Sequence, residues 1–418
     1  MYKIFSLKKK QLLVIGLVWP EPNSSAAGIR ILQLMDLFLA QDFEIIFASA
    51  AQESEFSFDL QSKGIQKKSI ELNSSSFDEF VAKLQPDIVL FDRYISEEQF
   101  GWRISENCPE TIRILDTEDL HCLRLERQNA IKKGNTFVLE DLLLSDIAKR
   151  EIASIYRCDL TLMISEFEMY ILQEIFGLKS ELLYYLPLFY EVKKQSEMLT
   201  FEERENFVFI GNFIHEPNWD AVKELKTKIW PTIRKRLPDA KLLIYGAYPT
   251  QKVLQLHNEK EGFLITGRAQ SASEVIEKAK VLLAPLRFGA GQKGKLLEAM
   301  QVGTCSITTS IGAEGIVSES EWNGFVMNDW DSFIEASIRL YTDQNLWNER
   351  QKKGYIALEK FSQDNFKKEF SFKLMELSNH LKKHRQNNFI GNLLQQQAFQ
   401  ATRFMSKWIE EKNKKASD

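Results

Sequence analysis

Residues 282–303 read LLAPLRFGAGQKGKLLEAMQVG, and this stretch decides the fold. It opens as a short apolar run of buried-strand length, turns on Gly289, Gly291 and Gly294, and goes on with helical spacing. Glycine has no side chain, so a turn built on it lets backbone N–H groups come close to a ligand. The start of a helix adds free N–H donors and a partial positive charge. Lys293 and Lys295 stand in the first turn, where a helix by itself favours anions, and that local conflict points to a bound anion. Glu298, one turn further along, is placed to accept hydrogen bonds from a hydroxyl pair of a sugar or ribose. Strand, glycine turn, lysine pair and glutamate together imply a nucleotide-diphosphate site.

The same alternation extends outward. Apolar runs predict strands at 12–18, 43–49, 87–91, 111–115 and 159–164, with a small polar loop at 21–28. A helix is predicted over 29–40, with Ile29, Leu32, Met35 and Leu39 on one face. Strands alternating with helices predict a parallel sheet covered on both faces. Ligands of such sheets sit outside the carboxyl ends of the strands, which draws attention to Asp92, Asp116 and Ser165. Residues 186–204 are charged and weakly periodic, as in a linker. A second series follows, with strands at 207–210, 241–245, 263–265, 281–284 and 305–308 and helices at 218–237 and 292–302. From 329 to 416 the pattern is almost all helical. The expected division is 1–190, 205–375 and a tail at 376–418.

Composition narrows the class. At 418 residues the chain is too long for one ordinary core, and 44% hydrophobic with 27% charged residues suits a soluble globular protein. A net charge of −4 argues against a nucleic-acid binder. Four scattered cysteines without a CxxC pair read as reduced thiols of a cytoplasmic protein, with no metal-spaced cluster. No segment reaches the roughly 18 apolar residues of a membrane span. Lysines 8–10 before the run at 12–19 have the look of a short signal peptide, but the pattern after them fits a continuing βα unit better.

Two α/β halves, a linker and a helical tail resemble the GT-B glycosyltransferases: two Rossmann-like domains facing each other across a cleft. Residues 281–316, down to the turn Gly312, Ala313, Glu314 and Gly315, resemble the retaining family 4 enzymes in particular. The resemblance implies a nucleotide-sugar donor, UDP- or GDP-linked, and a carbohydrate, lipid-linked or protein acceptor, with neither cofactor nor metal. It implies that Glu298 holds the donor ribose and that backbone amides near Gly312, Ala313 and Glu314 meet the diphosphate, with Lys293 and Lys295 adding charge. Gly28 and Gly211 fall in loops that approach the donor, and Asp119 and His121 face the cleft as candidate sugar contacts. His121, Asp119 and Lys295 are thus the catalytic candidates. The family usually carries a glutamate where this chain has Ala290, and a cation soon after residue 210, where none precedes Lys223. These departures sustain an alternative: a non-catalytic GT-B partner of another transferase. A nucleotide-sugar epimerase on the same fold is a third reading.

Plainer roles stand beside these. Gly28, Gly211 and Gly312 read equally well as turn glycines, Asp116 and Asp119 as helix caps, His121 as a structural histidine, Glu314 as a loop carboxylate, and Arg268 and Arg287 as surface groups. Phe389, Leu393, Phe404, Trp408 and Ile409 form an apolar stripe flanked by lysines. The stripe is expected to pack on the protein; the alternative is peripheral contact with the inner face of the cell membrane.

Overall fold

The computed structural model describes residues 9–193 and 198–417. Seven parallel strands form the first sheet: β1 (Gln11–Gly16), β2 (Glu44–Ser49), β3 (Gln66–Ser69), β4 (Ile88–Asp92), β5 (Ile112–Asp116), β6 (Leu160–Met163) and β7 (Leu183–Tyr185). Their order is β3-β2-β1-β4-β5-β6-β7. Six more form the second: β8 (Glu205–Ile210), β9 (Leu242–Tyr245), β10 (Phe263–Gly267), β11 (Ala279–Ala284), β12 (Cys305–Thr308) and β13 (Gly324–Val326), in the order β10-β9-β8-β11-β12-β13. In each sheet the chain starts in the middle, runs to one edge and then returns to the other side. The neighbouring first strands β1/β4 and β8/β11 therefore splay their following loops apart and leave a crevice at their carboxyl ends.

Alternation along β1 shows why the sheet is covered on both faces. Leu12 and Val14 pack into one core with Met35 and Phe38, while Leu13 and Ile15 pack into the other with Val89 and Phe100. The predicted strands lie within a few residues of their places. The sequence reading missed β3, β7 and β13, each at a sheet edge. β3 reads QKKS and is largely exposed, so no apolar run marks it. β7 and β13 have three residues each.

The stretch expected to be a linker is in part core: Leu186, Leu188, Phe189 and Tyr190 are buried. The chain crosses back close by, with the Tyr190 amide donating to the Phe361 carbonyl at 3.1 Å. Helix Gln363–Asn387 then returns to the first sheet, where Phe370, Leu374 and Leu377 join Leu12 and Phe38 in one core. The expected tail boundary at 375 falls inside this helix. Helix Phe389–Ser417 ends the chain. Among the described residues no helix is long and apolar enough to cross a membrane.

Candidate functional site

A cavity of about 480 Å³ lies where the carboxyl ends of the two sheets meet. Two helices begin at it, one from each domain. Ala26–Leu39 starts after β1, with the Ser25 hydroxyl accepting from the Gly28 amide at 3.1 Å. Gly294–Gln301 starts after the glycine turn. The two starts touch: a β-carbon on Gly294 would lie 2.9 Å from the Ala26 β-carbon. Two sets of free N–H groups and two positive helix ends therefore face one space.

The second domain supplies unbalanced charge to that space. Lys293, Lys295 and Glu298 all line it. Lys295 Nζ donates to Asn218 Oδ1 at 2.6 Å and lies 4.4 Å from the centre of the Phe209 ring. No carboxylate offsets its burial, which pulls the ammonium down to about 7. Lys293 donates to the Gly291 carbonyl at 2.7 Å, and burial lowers it as well. Burial lifts Glu298 to about 7 against the weak pull of Lys193. The Tyr190 hydroxyl, close to Gly294, is buried with no hydrogen-bond partner.

The first domain supplies balanced pairs. Arg93 follows β4 and Glu118 follows β5, and Arg93 Nη2 donates to Glu118 Oε2 at 2.8 Å. Both residues hold positive φ, +67° and +60°, which costs a non-glycine residue on the order of 1–3 kcal/mol. Asp119 is joined to Arg124 and lies 3.4 Å from His121 Nε2. Burial works to raise Asp119, yet Arg124 and the nearby histidines outweigh it and hold the carboxyl below its usual range. Burial also brings His121 down to about 4 despite Asp119, so its ring is neutral at pH 7. Buried Glu151 accepts from the His121 and Cys122 amides at 2.8 and 2.7 Å, fixing the start of that helix.

Of the residues singled out from sequence, the structure gathers His121, Asp119, Gly211, Lys293, Lys295, Glu298 and Arg268 around the cavity. Ala290 lines it too and also packs into a core of the first domain. Gly28 does not line it. A β-carbon there would meet the Glu21 carbonyl carbon at 2.4 Å, so this glycine serves the close approach of helix and loop. Gly312, Ala313 and Glu314 also stay outside, with their amides engaged by Thr309 Oγ1, the Thr309 carbonyl and the Ser310 carbonyl. The Glu314 carboxylate grips Arg127 of the first domain with both oxygens, at 2.8 and 2.7 Å. Asp116 is buried against Arg30, Ser165 caps a helix, and Arg287 pairs with Asp220. Asp92 accepts from the Leu17 amide.

Sequence reasoning missed Arg93, Glu118, Arg124, Tyr190, His215 and Asn218, which all line the cavity. Arg93 and Glu118 could have been found from their place, two and three residues past predicted strand ends.

The domains also hold each other directly. Glu168 Oε1 accepts from Leu120 and, across the cleft, from the Gly291 amide at 2.7 Å. Arg127 donates to the Gly289 carbonyl at 2.8 Å. On the far side, Tyr248 donates to the Glu21 carboxylate at 2.8 Å. A β-carbon on Gly291 would collide with that of Asp119 at 2.8 Å, so the turn must be bare for the domains to close.

Two doubly wound parallel sheets meeting at such a cleft, with the final helices returned to the first domain, define the GT-B glycosyltransferase fold. Residues 204–343, most of the second domain, match the family of glycosyl transferases group 1. An uncharacterized 44.6 kDa protein in the cps region of Klebsiella pneumoniae is 28% identical over 140 residues, 32% of this chain and 36% of that protein, so the match spans about a third of its length. Among solved structures, sucrose-phosphate synthase from Thermosynechococcus elongatus superposes with a TM-score of 0.64 at 15% identity, over 88% of this chain and 99% of that one. HepE from Anabaena, in complex with UDP-glucose, gives 0.65 at 12% identity, over 88% and 100%. Likeness at these identities is likeness of fold.

Proposed function

We propose that this protein is a glycosyltransferase, moving a sugar from a UDP- or GDP-linked donor to an acceptor hydroxyl with retention at the anomeric carbon, in polysaccharide or glycoconjugate assembly. The observation that carries the reading is the pair of buried lysines whose hydrogen bonds go to neutral oxygens, Lys295 with no carboxylate to offset its burial, set at two abutting helix starts with Glu298 one turn behind. That arrangement suits a diphosphate followed by a ribose. The family match of the second domain supports it, and the cps-region relative supports the setting.

In this reading Lys293, Lys295 and the first-turn amides hold the diphosphate and stabilise the charge that grows as the anomeric C–O bond breaks. Glu298 accepts from the ribose hydroxyls. Neutral His121, Asp119 and the backbone at Gly211 face the transferred sugar. The acceptor hydroxyl attacks from the same face, and its proton passes to the departing phosphate oxygen. The Arg127 and Glu168 contacts keep the cleft shut and water out during the step.

Calorimetric titration with UDP, GDP, ADP and dTDP tests the reading. One nucleotide should bind selectively, and Glu298→Ala should weaken it by roughly 2 kcal/mol, about thirtyfold. Folded protein that binds none of the four would overturn the reading in favour of a non-catalytic partner, as the alanine at 290 would then suggest.

A further inference from the structure

The last helix, Phe389–Ser417, docks on the first domain by its polar side and turns its apolar side outward. Its inner contacts include hydrogen bonds and ion pairs. Ser406 is buried and accepts from Arg103 Nη2 at 3.0 Å, Arg403 pairs with Glu106 at 2.8 Å, and Glu410 accepts from the Ser75 hydroxyl at 2.6 Å. Gly391 lies so close to the Tyr156 carbonyl that a β-carbon would come within 2.1 Å. The outer side carries Phe389, Leu393, Phe404, Met405 and Trp408, with Phe389, Phe404 and Trp408 exposed by 73%, 66% and 59%. Positions 389, 393, 404 and 408 share one face at helical spacing. The sequence had placed this stripe against the protein, and the structure places most of it in the open, with only Ile409 half-buried.

A helix with a choice of faces ordinarily buries the apolar one, since burial of apolar area is the larger stabilising term. A stripe left out in this way marks a surface covered by something apolar. Its surroundings say what. Lys407, Lys412 and Lys414 are exposed on the same helix, and Lys412 Nζ lies 5.3 Å from the centre of the Trp408 ring. The final two helices, 363–417, hold eleven Lys and Arg against five Asp and Glu, in a chain whose net charge is −4. Aromatic side chains bordered by lysines fit the headgroup region of an anionic bilayer. A second copy of the chain fits less well, because a twofold contact through this stripe would bring the lysine borders together.

We propose that the outer face of this helix seats the protein on an anionic lipid surface. The inference stands apart from glycosyl transfer, since none of these residues lines the cavity. Flotation of the full-length protein with lipid vesicles tests it. Vesicles of equal parts phosphatidylcholine and phosphatidylglycerol should carry the protein at low salt, and vesicles of phosphatidylcholine alone should carry much less. Phe404→Ser with Trp408→Ser should lower binding about tenfold or more, and Phe389→Ser with Leu393→Ser should do the same by an independent route. Lys407→Glu with Lys412→Glu should erase the preference for the anionic lipid. Light scattering and nucleotide titration on the variants should match the parent protein. Parent protein that stays in solution with both vesicles overturns the proposal, as does vesicle binding that both serine variants leave unchanged. A dimer that the serine substitutions dissociate, without vesicle binding in the parent, would assign the face to self-association instead.

Discussion

The two walls of the cavity are built on opposite electrostatic plans. In the first domain every cation near the site has a carboxylate beside it: Arg30 with Asp116, Arg93 with Glu118, Arg124 with Asp119. In the second, Lys293 and Lys295 are buried and hold only neutral oxygens of Gly291 and Asn218. A balanced wall is complete before any ligand arrives and offers hydroxyl groups donors and acceptors in fixed places. An unbalanced wall is incomplete without an anion. The comparison separates the two halves of a bound nucleotide sugar on electrostatic grounds alone, with the phosphates on one side and the neutral sugar on the other.

Breaking each wall should therefore have opposite consequences. The largest effect is expected on the balanced side. Arg30→Met leaves the Asp116 carboxylate buried without its partner and should cost about 3–5 kcal/mol of stability, read as a lower urea midpoint. A midpoint within error of the parent would show that the pair is not what holds that wall. Lys295→Met removes a buried cation that has no counter-charge. Stability should stay level or rise slightly, while nucleotide-diphosphate affinity falls by about 3 kcal/mol, roughly a hundredfold. Loss of stability together with intact binding would reverse the comparison.

The smallest effect is on pH dependence, and its sign follows from the two groups near neutrality. Lys295 sits at about 7 in the free protein. A diphosphate raises it, so binding above pH 7 takes up a proton and affinity falls as pH rises. Glu298 also sits at about 7. Hydrogen bonds from ribose hydroxyls favour its ionised form, so binding below pH 7 releases a proton and affinity falls as pH drops. Affinity should peak near neutrality. Calorimetry in buffers of different ionisation heat should show proton uptake on the alkaline side, which Lys295→Met reduces near pH 7 while Lys293, lowered by burial to about 8, supplies the remainder. Uptake unchanged in that variant would move the titration to another group.

The second wall was legible in sequence and most of the first was not. Lys293, Lys295 and Glu298 lie within six residues of one another on a single strand–turn–helix unit, so local rules of helix ends suffice to read them. Arg93 opens the helix after β4, while Glu118 and Arg124 follow β5, and the two groups meet only because β4 and β5 are neighbours, with Asp92 level with Asp116 in the register. Nothing local announces such a meeting. Gly312 and Glu314 show the converse hazard: a turn that reads as a ligand loop is occupied here by its own Thr309 cap and by Arg127. The alternation of strands and helices gave away the sheets, but not edge strands such as β3, whose side chains face water.

The return of Phe370, Leu374 and Leu377 to the core of the first domain makes that domain discontinuous in the chain. Its sheet is complete by residue 185, yet part of the apolar face beside Leu12 and Phe38 has no cover until helix Gln363–Asn387 has been made. The second sheet, from 205 to 326, is contiguous and needs no such wait. On a ribosome the later domain can thus finish folding ahead of the earlier one, and the start of the protein is held open until its end arrives.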